Sequence, residues 1–220
     1  MTPDCQFWWD WWVKALAAAG TLGAVVVALF RDWIRGWSFL APQLSIGLKN
    51  SKGEFTERQI TEGGEITAQH IGSRWYHIEV KNQRRWSPAS GVRLCLLRFE
   101  EPNAADQFET TWTGEMPFQW RDGQLGALMP DLSRQIDSDL CSVTNMPDGP
   151  ILELHPIIRR FSVPTKWRHC RVKCALTFQA VSLLVDSNRL RIEIAWDGQW
   201  ADGKDEMARH LVITASPQVA

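Results

Sequence analysis

Net charge is nearly absent from this chain. Lys and Arg number 24 against 25 Asp and Glu, a formal balance of −1. Setting aside the N-terminal segment removes Asp4, Asp10 and Asp32 together with Lys14, Arg31 and Arg35, so the remainder keeps the same balance. A near-neutral body lacks the basic footprint that phosphate contacts require, which excludes nucleic acid as its main partner. The pairs Arg84-Arg85 and Arg159-Arg160 read as solvated loop charges. The five cysteines, Cys5, Cys95, Cys141, Cys170 and Cys174, are odd in number and outline no disulfide framework, as in a reducing compartment. Also missing are a Gly-rich phosphate loop, a dinucleotide fingerprint, a nucleophile elbow and a His-Glu-x-x-His motif. An enzyme is therefore not expected, and neither is a cofactor.

One local absence organises the rest. No charge occurs in the sixteen residues between Lys14 and Arg31, which are rich in Ala, Val and Leu. Trp8, Trp9, Trp11 and Trp12 precede this run, and Trp33 and Trp37 follow it. From Trp12 to Trp33 a helix would span roughly 31 Å at about 1.5 Å per residue, close to the ~30 Å hydrocarbon thickness of a bilayer. Trp settles at both membrane interfaces, so these six form a membrane-interface belt and residues 1–37 read as one transmembrane helix. The acidic start and the sequence Phe30-Arg31-Asp32-Trp33 after the apolar run argue against a cleaved signal peptide. A surface-lying amphipathic helix would keep charges along its polar side, where this one has Ala and Thr.

At about 100° per residue, Lys14, Ala17, Thr21, Ala24, Ala28, Arg31 and Arg35 share one stripe, while the tryptophans and bulky aliphatics occupy the opposite half. Small residues at such spacing let helices approach closely in lipid, so the stripe is expected to mediate self-association. Arg31, Arg35, Lys49 and Lys52 follow the span and only Lys14 leads it. The positive-inside bias then places the body in the cytoplasm, against the inner membrane of a single-pass protein.

Beyond a short connector at 38–42, the region 43–216 reads as one β domain, with a tail at 217–220. Period-two alternation marks strands at Gln43–Lys49, Trp75–Lys81, Val92–Phe99, Arg171–Phe178, Leu190–Trp196 and Leu211–Thr214. Shorter strands are expected at Phe108–Trp112, Pro117–Trp120 and Ile151–Leu154. The polar stretch Ser51–Gly64 reads as a loop or short hairpin. Prolines at 102, 117, 130, 147, 150, 156 and 164 exclude long helices in the middle of the chain. The fold class is mainly β, an antiparallel immunoglobulin-like β-sandwich behind one transmembrane helix.

Candidate chemistry in the body is sparse. His169, Cys170 and Cys174 are the best metal candidates, but Cys174 falls in the inward row of its strand, so no metal site is expected. Asp197, Asp202, Asp205 and Glu206 miss calcium-loop spacing and read as turn residues. His77 lies on a polar strand face and His155 precedes a proline, neither with a nucleophile nearby in sequence. Trp112, Trp120 and Trp200 are candidates for an exposed interaction patch.

The Trp-flanked GTLGAVVVALFRDW helix, the Pro-Gln-Leu strand, the segment HIEVKNQRRWSPASGV and the late DGQW together resemble a broad group of uncharacterised bacterial single-pass membrane proteins. In that group an N-terminal anchor precedes a sandwich related to adhesion modules. Where its usual pattern has a glycine turn after Asn82, this chain has Gln83-Arg84-Arg85-Trp86. The layout also resembles membrane effectors encoded beside bacterial anti-phage sensors. The implied function is a membrane effector or assembly subunit with three partners: the lipid bilayer, further copies of itself and a cytoplasmic protein. The alternatives are a passive tether for a soluble partner and a small-molecule sensor domain.

Overall fold

The computed structural model describes residues 12–14, 16, 17, 20, 21, 23, 25, 26, 41–62, 65–121, 129–158 and 163–218, with the backbone alone at 58–62, 65–70, 129 and 130. The chain divides into two compact units, Met1–Ala41 and Pro42–Ala220.

In the first unit every described residue from Trp12 to Val26 is helical and exposed, including Trp12, Val13, Leu16, Val25 and Val26. Thr21 donates its hydroxyl to the carbonyl oxygen of Ala17 at 2.6 Å, the i−4 bond a helical Thr makes when no other partner takes its proton. Among the described residues no helix is long and apolar enough to cross a membrane. The expected span over 1–37 is thus not an element of the described fold. Of its belt and stripe, Trp8, Trp9, Trp11, Trp33, Trp37, Ala24, Ala28, Arg31 and Arg35 lie outside the described residues.

The second unit is built of antiparallel strands in a sandwich-like arrangement. The first sheet takes its order from β1 (Leu44–Leu48), β3 (Glu65–Asn82), β7 (Gln135–Met146), β8 (Gly149–Leu154) and β9 (Lys166–Arg168), with β2 (Glu54–Glu62) also paired to β3. The second runs β12 (Leu211–Gln218), β11 (Arg189–Trp196), β10 (Val172–Val181), β4 (Ala89–Pro102) and β5 (Phe108–Pro117), with β6 (Met129–Leu132) paired to β4. A two-turn helix, α1 (Lys204–His210), leads into β12. It carries Asp205 and Glu206 in its first turn and Arg209 and His210 in its last, as the helix dipole favours.

Alternation delivers one core. Tyr76, Ile78 and Val80 of β3, Leu94 and Leu96 of β4, Leu176 and Phe178 of β10, and Ile192 and Ile194 of β11 are fully buried together with Leu140 and Leu152. Phe118 meets Phe178 edge-on at 4.9 Å. At one edge the side-chain oxygen of Asn188 accepts from the Ile46 amide at 3.2 Å, tying the β10–β11 turn to β1.

Several expected strands are present but longer. Trp75–Lys81 is the last part of the 18-residue β3. Of Pro117–Trp120, Pro117 ends β5 opposite Cys95, and beyond it Phe118 and Trp120 form isolated bridges to Pro156 and Ser138. Ser51–Gly64, read as a loop or short hairpin, contributes β2, which pairs antiparallel with the start of β3 as one arm of a hairpin. The central strand β7 was not anticipated. Nor was α1, which buries only Met207.

Candidate functional site

β1 and β2 occupy successive stretches of the same edge of β3: β1 pairs with Ile78–Asn82, and β2 pairs with Trp75 and the residues before it. On the opposite edge β7 pairs with Ser73 through Lys81, with a register shift between Tyr76 and His77. Side chains on the outer face of β3 therefore stand among those of β2 and β7. Trp75 sits opposite Glu54, and His77 opposite Asp139. Residues 118–121 lie along the first half of β7. Arg121 donates its amide to the Asp137 carbonyl at 3.0 Å, and the Asp139 amide donates to the Gln119 carbonyl at 3.0 Å. That pairing sends Phe118 and Trp120 into the core and Arg121 outward.

The outcome is a cleft of about 300 Å³ lined by Glu54, Thr56, Glu57, Trp75, His77, Arg121 and Asp139. Along one side four charges lock together. Lys49 Nζ is 2.7 Å from Asp137 Oδ2 and 3.0 Å from Glu54 Oε1. Arg121 Nη2 is 2.7 Å from Glu54 Oε2, and its Nη1 is 3.5 Å from Asp137 Oδ2. The Lys49 ammonium holds the Glu54 carboxyl below its ordinary 4.5, and Arg121 adds to this against the opposing effect of burial. In return the Asp137 and Glu54 carboxylates raise Lys49.

Deeper in the cleft lies His77, only 4% exposed, with its Nδ1 at 3.0 Å from Asp139 Oδ1. A carboxylate on Nδ1 fixes the proton there, so in the neutral ring Nε2 presents a bare lone pair. Nε2 is buried and makes no hydrogen bond; Glu54 Oε2 stands 3.7 Å away, beyond bonding reach. Nearby the Trp75 indole stacks on His155 at 4.6 Å, and His155 Nε2 lies 2.8 Å from the Ser142 hydroxyl. Ser142 is itself buried, so this serine-histidine contact braces the outer face.

The other candidates fall elsewhere. Lys14, Ala17 and Thr21 of the stripe and Trp12 of the belt are exposed helical residues. Trp120 is fully buried and presents no surface, which removes it from any patch. Trp200 is half-buried. Its ring packs near Phe55, and its Nε1 donates to Asp202 at 2.9 Å. Trp112, also half-buried, packs against the core from β5 in the other sheet. His169, at a left-handed φ of 48°, lays its ring over Gly149, where a Cβ would sit 1.7 Å from the imidazole. Cys170 is exposed and Cys174 is in the core. Among the described residues no three His, Cys, Asp or Glu side chains are placed to hold a metal ion. Of the carboxylates read as turn residues, Asp205 and Glu206 instead open α1; Asp197 is tied to His210 at 2.9 Å and Asp205 to Lys52 at 2.7 Å.

Sequence reading placed His77 on a polar face but missed Lys49, Glu54, Arg121, Asp137 and Asp139. The signal available was the alternation of Asp137, Ser138 and Asp139, which marks a strand with a polar outer face. Comparisons with known protein families, curated proteins and solved structures find no match for this chain.

Proposed function

We propose that this chain is a membrane-anchored, non-enzymatic binding protein. Residues 1–37 act as a self-associating single-pass helix. The sandwich on the cytoplasmic side takes a partner or ligand and clusters the helices. By the resemblance given above, the clustered form is an effector that disrupts the membrane in bacterial anti-phage defence. The supporting observation is the N-terminal segment itself. Large apolar side chains are exposed along a helix whose one hydroxyl is already satisfied by its own backbone, a surface that suits lipid better than water. The immunoglobulin-like plan belongs to the same reading, with two antiparallel sheets facing one core, each widened here to six strands.

The test is alkaline carbonate washing of membranes from cells producing the full chain, followed by chemical cross-linking. The reading expects the protein to stay with the membrane and to give cross-linked oligomers that disappear when residues 8–37 are replaced by an unrelated monomeric span. Release into the supernatant overturns the anchor, and oligomers that survive the replacement overturn helix clustering. The sensor alternative is favoured by one specific feature, the cleft over β3 with its unbonded His77 nitrogen.

A further inference from the structure

Strand ends converge at one end of the sandwich, where β3, β6, β10 and β12 finish and β1, β4, β7 and β11 start. Buried Asn82 ties this end together. Its Nδ2 donates to the Ser87 carbonyl at 2.7 Å and to the Leu132 carbonyl at 3.0 Å. Its Oδ1 accepts from the Gln43 amide at 3.3 Å and the Arg84 amide at 3.0 Å. The loop 83–88 is thereby pinned beside the first residues of the second unit and beside the turn before β7. The Leu183 amide donates to the Ser90 carbonyl at 3.2 Å, which brings the 182–188 turn to the same end.

What these loops present is both apolar and basic. Leu183 is 79% exposed and Trp86 71%, more than any other large apolar side chain described in the sandwich, and Leu184 follows Leu183 outward. Arg85, Arg134 and Arg189 are exposed, and among the described residues no carboxylate pairs with their side chains. A cleft of about 760 Å³ is lined by Lys81, Asn82, Gln83, Arg85, Arg134 and Gln135, three cations with no carboxylate among the described lining residues. Asp131, which accepts from the Ser90 hydroxyl, Asp186, and Glu79, which pairs with Lys81, oppose this charge. With Arg84 the cations still outnumber them. A soluble anion would use the arginines and leave Trp86 and Leu183 in water. An anionic bilayer surface uses both, its phosphates meeting guanidinium groups while indole and leucine enter the interfacial layer.

We propose that this end of the sandwich docks on an anionic bilayer surface, with Arg85, Arg134 and Arg189 on lipid phosphates and Trp86 and Leu183 inserted among the headgroups. This contact deepens the anchored reading above and rests on it for the nearness of a bilayer. The chain enters the sandwich at this same end, since Gln83 donates its amide to the Gln43 carbonyl at 2.8 Å.

The experiment reconstitutes the full chain carrying Ser133→Cys, a reporter at an exposed position in the turn before β7. The vesicles are phosphatidylcholine alone or phosphatidylcholine with phosphatidylglycerol. Flotation reads membrane association. Modification by a water-soluble maleimide, resolved by peptide mass spectrometry, is taken at the reporter relative to Cys170, which is exposed just before β10 at the opposite end. The chain is expected to float with both vesicles, and the relative rate at the reporter to fall about fivefold when phosphatidylglycerol is present. Arg85→Glu with Arg134→Glu should abolish that difference, and Trp86→Ser with Leu183→Ser should reduce it; all four positions are exposed, so the core is untouched. Flotation with both vesicles but equal relative rates overturns the docking and leaves the anchor standing. Protection unchanged in both paired variants also overturns it. Flotation and protection with anionic vesicles alone support the docking and overturn the anchor, and flotation with neither overturns both.

Discussion

Arg74 of β3 donates from Nη2 to the carbonyl oxygen of Asp202 at 2.7 Å and from Nη1 to that of Lys52 at 3.3 Å. This guanidinium, 1% exposed, joins the β1–β2 turn to the loop before α1, and it lies 5.6 Å from the centre of the Phe55 ring. Buried charge-assisted bonds of this kind are each worth up to about 3 kcal/mol. Arg74→Ala should lower unfolding free energy by about that amount, measured by urea denaturation. Arg74→Lys should recover less than half, since one ammonium cannot reproduce the planar fork. Gly53 is bound to the same arrangement. Its φ is +68°, and a Cβ there would meet Arg74 Cγ at 2.8 Å and the Tyr76 ring at 2.9 Å, so Gly53→Ala should also destabilise.

Trp120 separates a core role from a recognition role. Full burial predicts that Trp120→Ala costs about 3–5 kcal/mol, again by urea denaturation. Trp200→Ala should cost clearly less, because its ring is half-buried at the rim. Equal, small losses at both positions would contradict the placement of Trp120.

The ion cluster at the cleft sets a pH dependence with a definite sign. The Lys49 ammonium lowers the folded-state Glu54 carboxyl, so its contribution is fully present above the ordinary 4.5 and is lost as pH falls through the lowered value. Asp137 and Glu54 raise Lys49, whose contribution is full below 10.5 and is lost as pH climbs through the raised value. Thermal midpoints across pH should therefore show a plateau with an acid and an alkaline limb. Lys49→Met should flatten both. Exposure and screening keep the effect modest, and high salt should shrink it.

Thiol chemistry should follow burial. Cys95 and Cys141 are pushed up by burial and Cys174 is pushed up to about 12, all three enclosed in the sandwich. Cys170 is exposed. Among the described cysteines, iodoacetamide under native conditions should modify Cys170 at least tenfold faster than the others, as read by peptide mass spectrometry. Comparable rates at Cys141 would contradict the buried placement.

Thr21 tests the helical stripe. Its hydroxyl is bonded to the Ala17 carbonyl, so Thr21→Val removes no bond between helices. Cross-linking yields in membranes should stay within about twofold of the parent, consistent with the under 1 kcal/mol typical of such polar contacts in lipid. Loss of all oligomers in this variant would show the hydroxyl serving a neighbouring helix instead.

What the sequence determined by itself was periodic and local. Val92, Leu94 and Leu96, or Leu190, Ile192 and Ile194, recur at every second position because one face of a sheet must be dry, and these residues are buried as that pattern requires. The strands it hid are those whose outer faces are polar and crowded. In β7, Ser138 and Ser142 are buried without being apolar, so hydropathy carried no sign of them. The cleft depended on tertiary structure altogether. His77 and Asp139 are 62 positions apart, and Lys49 and Asp137 are 88 apart. Composition could count those charges, but only the pairing of β2, β3 and β7, and the turn of residues 118–121 along β7, decided which would meet, because electrostatic contact depends on distance in space and strand register alone sets that distance.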